Sequence, residues 1–332
     1  MKLATLRGDG PDGRLVVVSR DGSRCLSAAP VASTLQEALD DWNSVSARLT
    51  PLSHAVDAGQ GEAFDASLLA APLPRAWQWL DGSAFSTHGA LMQKAFGLPQ
   101  IETDPPLMYQ GMSHQFLGPN DDVPLPSEAD GIDFEGEFAV ITDAVPMGVS
   151  AGEAAGHIKL VVQLNDWSLR VIAPQEMKTG FGWVRAKPAC SVAPFAVTPE
   201  ELGSAWRDSR VCLDLRVDWN GRRFGAANGA AMDFGFDQLV AHAAYSRSLP
   251  AGTIIGSGTV SNENCREVGS SCIAERRGIE LIDHGAPETG FMRFGDRVRM
   301  EAEPVAGCSP FGAIEQRVVA VTLGRSTRPS TS

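Results

Sequence analysis

None of the six cysteines, at positions 25, 190, 212, 265, 272 and 308, stands in a C-x-x-C pair. That removes the dithiol motifs and fits reduced thiols packed as small apolar residues. No Lys/Arg cluster offsets a formal net charge of -12. This argues against a general nucleic-acid or anionic-membrane surface, since both reward basic patches. The first residues, MKLATLRGDG, lack an apolar leader core. No run approaches the about 20 apolar residues of a membrane span. These absences lead to the expectation of a cytoplasmic protein with reduced thiols. Internal repeats, low-complexity tracts and heptads are missing too. Five of the histidines, His54, His88, His157, His242 and His284, form no metal-ligand spacing.

What is present is turn chemistry and short apolar runs. The chain has 332 residues, 34 of them Gly and 21 Pro, with 43% apolar content, which suits many short strands around a sizeable core. Residues 1 to about 20 predict a hairpin, and TLQEALDDWNSVSARL predicts a helix. STHGALMQKAFGLP predicts a short helix stopped by Gly97 and Pro99. From about residue 104 the runs EFAVIT, IKLVVQLND, VCLDLRVDWNGRRF, GTIIGSGTV, DRVRMEAE and EQRVVAVTL predict strands between Pro/Gly turns. Asn220-Gly221 is the sharpest hairpin signal. One helix is expected after Asp233, in FDQLVAHAAYSRSL. Strands are not separated by regular helices, so this is not a doubly wound pattern. The expected class is α+β, mostly β, with a β-roll or barrel-like core. The expected units are a small N-terminal domain (1–100), a catalytic domain (101–326) and a frayed tail (327–332).

The stretch GIDFEGEFAVI holds Glu135 and Glu137 two residues apart. On a strand they project from one face, joined by Asp133 if the strand starts early enough. Two carboxylates on one face repel, and burying them against a core costs several kcal/mol unless a cation lies between them. By itself the spacing also fits a solvated outward face. Asp166, at the end of the apolar run IKLVVQL, offers a third oxygen ligand or else a turn-forming residue. An all-oxygen set suits Mg2+, Mn2+ or Ca2+ rather than Zn2+.

Taken together, DFEGEFAVI, NDWSLR, PLMYQGMSHQFLGP, RAKPACSVAPF, the FDQLVAHAAYSRSLPAGTIIGSGTVS stretch, GSSCIAERRGIE and FGDRVRMEAE resemble the fumarylacetoacetate hydrolase family over roughly residues 104 to 325. The resemblance implies a mixed β-roll catalytic domain, usually a homodimer, that holds Mg2+, Mn2+ or Ca2+ and acts on diketo or oxo acids. By position it implies Glu135, Glu137 and Asp166 as metal ligands. Arg170 and Lys187 match cations that face developing negative charge, and Tyr109, Gly258 and Thr259 match substrate-binding positions. His114, five residues after Tyr109, matches the catalytic histidine, with Glu275 as a candidate to orient it. Three family positions depart: a fourth metal carboxylate falls on Leu107, a glutamine on Ala173, and the orienting glutamate on Ile273.

The implied reaction is hydrolysis of a C–C bond in a β-diketo acid of fumarylacetoacetate, fumarylpyruvate or acylpyruvate type, as in aromatic catabolism. Decarboxylation, hydration, isomerisation and non-catalytic oxo-acid binding are the alternatives. GVSAG (148–152) also fits a G-x-S-x-G nucleophile elbow around Ser150, but only about six residues separate it from the next strand. GSGT (256–259) lacks a Walker lysine and is not read as a phosphate loop.

Overall fold

A computed structural model describes residues 1–8, 10–63, 65–97 and 105–321. Pro99, the expected boundary at 100/101 and the expected tail 327–332 lie outside the described residues.

The fold is mixed, 30% strand and 27% helix, and its several sheets stay open rather than closing into a barrel. The first hairpin forms as expected, with Lys2–Leu6 antiparallel to Arg14–Val18. Lys2–Leu6 then pairs with Ala196–Val197, which joins the N-terminal strands to an eleven-stranded sheet. From its middle to one edge run Ile158–Asn165, Gly136–Thr142, Ile254–Gly256, Trp79–Gly82 and Met108–Gln110. Trp79–Gly82 pairs in parallel with Ile254–Gly256, although it precedes residue 100. A five-stranded sheet (Arg222–Asn228, Asp214–Trp219, Arg297–Ala302, Ala313–Ala320, Val123–Leu125) packs against it. Its first hairpin turns at Asn220-Gly221, both at positive φ, as a tight primed turn requires.

Alternation places the core on both sides of the central sheet. From the fully buried strand Gly136–Thr142, Phe138 and Val140 enter one cluster, while Ala139 and Ile141 enter the other. Glu137 shares the parity of Ala139 and Ile141, so it is embedded and not solvated.

Three helical expectations change. TLQEALDDWNSVSARL breaks at Asp41 into Leu35–Asp40, capped by Thr34, and Trp42–Asp57, which runs on through Pro51. The helix after Asp233 is shorter, Phe236–Ala243. A helix at Ile273–His284 was not foreseen, because its buried face is narrow and broken by charged residues. It lies against Ser86–Phe96 at Gly278, where an added Cβ would stand 2.8 Å from Leu91 Cδ2. Gly278→Val is therefore expected to destabilise the fold by about 1–3 kcal/mol through overpacking, measured by urea denaturation.

Candidate active site

Strand ends bring four acids together. Asp81 lies on Trp79–Gly82, in register with Gly256 on one side and Tyr109 on the other. Glu137 lies on the neighbouring strand, and Asp166 directly follows Ile158–Asn165, its backbone N–H bonded to the Glu135 carbonyl at 2.9 Å. Carboxylate oxygens of Asp81, Glu137 and Asp166 all lie within 4.8 Å of one another, and all three residues are buried.

Glu137 has no solvent exposure, and among the described residues neither oxygen meets an amide, hydroxyl or ammonium donor; its hydrogen-bonding neighbour is the Asp81 carboxyl. Such a group costs several kcal/mol unless it is protonated or faces a cation. Burial first, and then the charge of Asp81, push the Glu137 carboxyl well above its ordinary range. Burial and the charge of Asp166 push Asp81 up to about 8. The donor set and the Glu137 oxygens fit a hard divalent ion.

Glu135 has the opposite surroundings. Its Oε1 accepts from Ser168 at 2.5 Å and Lys187 Nζ at 3.0 Å, and its Oε2 accepts from Thr259 at 2.9 Å. Arg170 Nη2 stands 2.7 Å from Oε1, an ion pair whose N–H points off the contact. Despite burial, which raises it, Arg170 and Lys187 hold Glu135 well below the usual carboxylate range. Lys187 Nζ also donates to Asp166 Oδ2 at 2.6 Å, so it bridges the two acids. Desolvation opposes its charge, yet Asp166 and Glu135 keep the Lys187 pKa raised. Tyr109 donates to the same Asp166 oxygen at 2.5 Å, and Cys190 Sγ reaches Asp166 Oδ1 at 2.9 Å.

Gly258 sits at φ +75°, where a Cβ would fall 2.3 Å from the Gly82 carbonyl. The turn aims its N–H at Asp81 Oδ1, 3.1 Å away. The run GTIIGSGTV thus leaves the strand at Gly256 instead of continuing to Val260.

Asp133 does not join the acid cluster. It pairs with Arg170 Nε at 2.8 Å and accepts the N–H groups of Ile273 and Ala274 at 2.7 and 2.9 Å. It thereby anchors the N-terminus of Ile273–His284, a favourable place for a carboxylate. That helix carries the buried Glu275, whose Oε1 accepts from Ser261 at 3.1 Å and whose Oε2 meets His88 Nδ1 at 3.0 Å.

Several expectations change here. Glu275 meets a histidine, but it is His88 and not His114, which is exposed and, among the described residues, makes no side-chain hydrogen bond or ion pair. Leu107 is 46% exposed, and the additional buried carboxylate is Asp81. Ile273 is buried in the helix's first turn, two residues before the glutamate that does face a histidine. Asp81 and His88 were missed because DGS reads as a turn and His88 has no ligand spacing. The available signal was an acid inside the apolar stretch WLDGSAF, followed seven positions later by a histidine early in a helix. Ser150 is no nucleophile elbow: it caps the four-residue helix Ala151–Ala154 in a reciprocal box with Glu153.

Buried acids at the strand ends beside a lysine–arginine pair and a carboxylate-held histidine define an enzyme-like site. Residues 78–319 match the fumarylacetoacetate (FAA) hydrolase C-terminal family, and residues 1–75 match fumarylacetoacetase N-terminal domain 2. The chain belongs to the fumarylacetoacetate hydrolase family. It is similar to a 2,4-didehydro-3-deoxy-L-rhamnonate hydrolase of Sphingomonas sp. (strain SKA58), 31% identical over 48% of this chain and 54% of the relative. It spans about half the length of the curated relatives it matches. Its fold resembles maleylpyruvate hydrolase from Sphingobium sp. SYK-6, solved with manganese(II) and pyruvate, at TM-score 0.67 and 18% identity, covering 97% of this chain and 100% of that one. A 5-carboxymethyl-2-hydroxymuconate delta-isomerase from Mycobacterium smegmatis gives TM-score 0.56 at 20% identity, covering 97% and 98%. Among the described residues no helix is long and apolar enough to cross a membrane.

A pH dependence follows from Asp81. Its folded pKa is raised from 3.8 to about 8, so the metal-free fold keeps a proton that the unfolded chain has lost. Metal-free stability therefore falls as pH rises from about 4 to about 8, while a cation competes better as that proton leaves. Mn2+ is expected to raise the melting temperature more at about pH 8 than at about pH 6, in a thermal-shift series.

Proposed function

We propose that this chain is a divalent-metal-dependent hydrolase that cleaves a C–C bond in a small β-diketo acid. The observation that carries the reading is the buried Asp81–Glu137–Asp166 cluster, in which the Glu137 oxygens face other carboxyl groups and, among the described residues, no amide, hydroxyl or ammonium donor. These three residues would hold Mg2+ or Mn2+. Glu135, committed here to Lys187, Arg170, Ser168 and Thr259, would be a further ligand only after releasing Lys187. A bound ion would supply Lewis acidity toward the substrate's carboxylate and neighbouring oxo oxygen.

The remaining chemistry falls to side chains. With Nδ1–H donating to Glu275, His88 presents Nε2 as its acceptor, and among the described residues this nitrogen makes no hydrogen bond. Nε2 takes a proton from water as the water oxygen adds to the carbonyl distal to the substrate carboxylate. The bond from that carbon to the bridging carbon then breaks, and its electron pair enters the oxo-acid enolate. Lys187 and Arg170 are the half-buried cations placed to meet such charge. Tyr109, Gly258 and Thr259 hold Asp166, Asp81 and Glu135 in place, a positioning role beside any substrate contact.

Hydrolysis is favoured over decarboxylation, isomerisation or mere binding by the His88–Glu275 pair, which is suited to activating water. The test is a spectrophotometric screen of acylpyruvates, fumarylpyruvate and oxaloacetate with Mg2+ and Mn2+, with products identified by mass spectrometry. Two carboxylic fragments from a diketo acid support the reading. Loss of carbon dioxide, an isomer, or no turnover by metal-loaded protein would replace it.

A further inference from the structure

We propose that His88, Cys272 and Glu275 form a second cation site, selective for thiophilic ions such as Zn2+ or Cd2+, whose occupation shuts off the site beside it. A nitrogen, a sulfur and a carboxylate oxygen from these residues all lie within 4.8 Å of one another. Imidazole, thiolate and carboxylate are the ordinary ligands of zinc, whereas Mg2+ and Mn2+ prefer the all-oxygen cluster. The two sites would sort ions by softness.

The spacing suits a tetrahedral ion. Bonds of about 2.0–2.1 Å to nitrogen and oxygen give an N···O edge of roughly 3.3 Å. His88 Nδ1 and Glu275 Oε2 are already 3.0 Å apart. Bonds of about 2.3 Å to sulfur give edges of roughly 3.6 Å, so Cys272 needs at most a shift of about an ångström to close the set. Its Sγ already faces as an acceptor, taking the Glu275 N–H at 3.3 Å at the positive end of the Ile273–His284 helix. One thiolate and one carboxylate cancel the two charges of the ion. Cys272 and Glu275 are fully buried, while the His88 side chain is 23% exposed and gives both an entry path and an open fourth position.

The proton balance explains the inhibition. The Cys272 S–H bond breaks, a sulfur–metal bond forms, and that proton passes to the buffer. Coordination through His88 Nδ1 moves the Nδ1 proton to Nε2. Nε2 then has no lone pair, and one proton in total is released per ion. Binding does not depend on the proposed reaction, but the inhibitory consequence rests on reading His88 as the base.

The experiment titrates Cd2+ into Mn2+-saturated protein while following the sulfur-to-cadmium charge-transfer absorption, proton release and turnover. Wild-type protein is expected to take one Cd2+ per chain through a thiolate, release one proton and lose activity. Cys272→Ser should lose the band and resist Zn2+ inhibition by about 30-fold or more, while still binding Mn2+. Cys190→Ser should keep the band. His88→Asn, which retains both thiols, should weaken Cd2+ by about tenfold or more. A band that survives in Cys272→Ser, or vanishes in Cys190→Ser, would overturn the site by placing the soft ion elsewhere. Cd2+ bound as described with undiminished turnover would overturn the inhibitory role and the assignment of His88 as base, leaving the carboxylate site untouched.

Discussion

Glu137→Gln is expected to abolish tight Mn2+ or Mg2+ binding and to lower kcat/KM by about 10³-fold. The carboxylate is fully buried, faces the Asp81 and Asp166 carboxyls, and among the described residues meets no amide, hydroxyl or ammonium donor. The substitution removes a ligand while keeping size and a polar head. A bound ion contributes several kcal/mol of charge stabilisation, and each 1.36 kcal/mol is a factor of ten in rate, which gives the expected scale. Isothermal titration with Mn2+ measures the first loss, and turnover of an accepted diketo acid the second. The melting temperature of the variant should also cease to respond to Mn2+. Retained activity with unchanged metal content would refute the proposed cluster.

His88→Asn should lower kcat by about 10²–10⁴-fold, the usual contribution of a positioned general base, and leave Mn2+ binding intact. Glu275→Gln should act in the same direction, because the imidazole loses the carboxylate that fixes its tautomer. His114→Ala is the control. His114 is exposed and hydrogen-bonds to none of the described residues, so its loss should leave kcat within about twofold of wild type. Steady-state kinetics on the three variants, with Mn2+ content measured in parallel, separates loss of the base from loss of the metal. A large effect at His114 and none at His88 would reverse the assignment.

Much of the site was legible because local pattern and local geometry coincide. Glu135 and Glu137 flank Gly136 in a run whose apolar residues bury both faces of a strand, and Asp166 ends another such run. Lys187, Arg170, Tyr109 and Thr259 all arrive within hydrogen-bond or ion-pair distance of these acids. Spacing along the chain did not point to Asp81 or His88. Counting from Tyr109 pointed to Leu107 and His114, whereas the chain supplies an acid and a histidine from a strand and helix well upstream. Trp79–Gly82 reaches the site only through its parallel pairing with Ile254–Gly256, more than 170 residues away in sequence.

The sequence alone determined the α+β class, the apolar strands, the Asn220-Gly221 turn and the presence of oxygen donors at Glu137 and Asp166 on or beside strands, since each depends on residue type and short periodicity. Tertiary structure decided which acids share one site and which histidine Glu275 holds. It also set Glu135 against cations and Glu137 against other carboxyl groups. Those outcomes depend on non-local strand order and on the close approach of two helices at Gly278, and no short-range spacing encodes either.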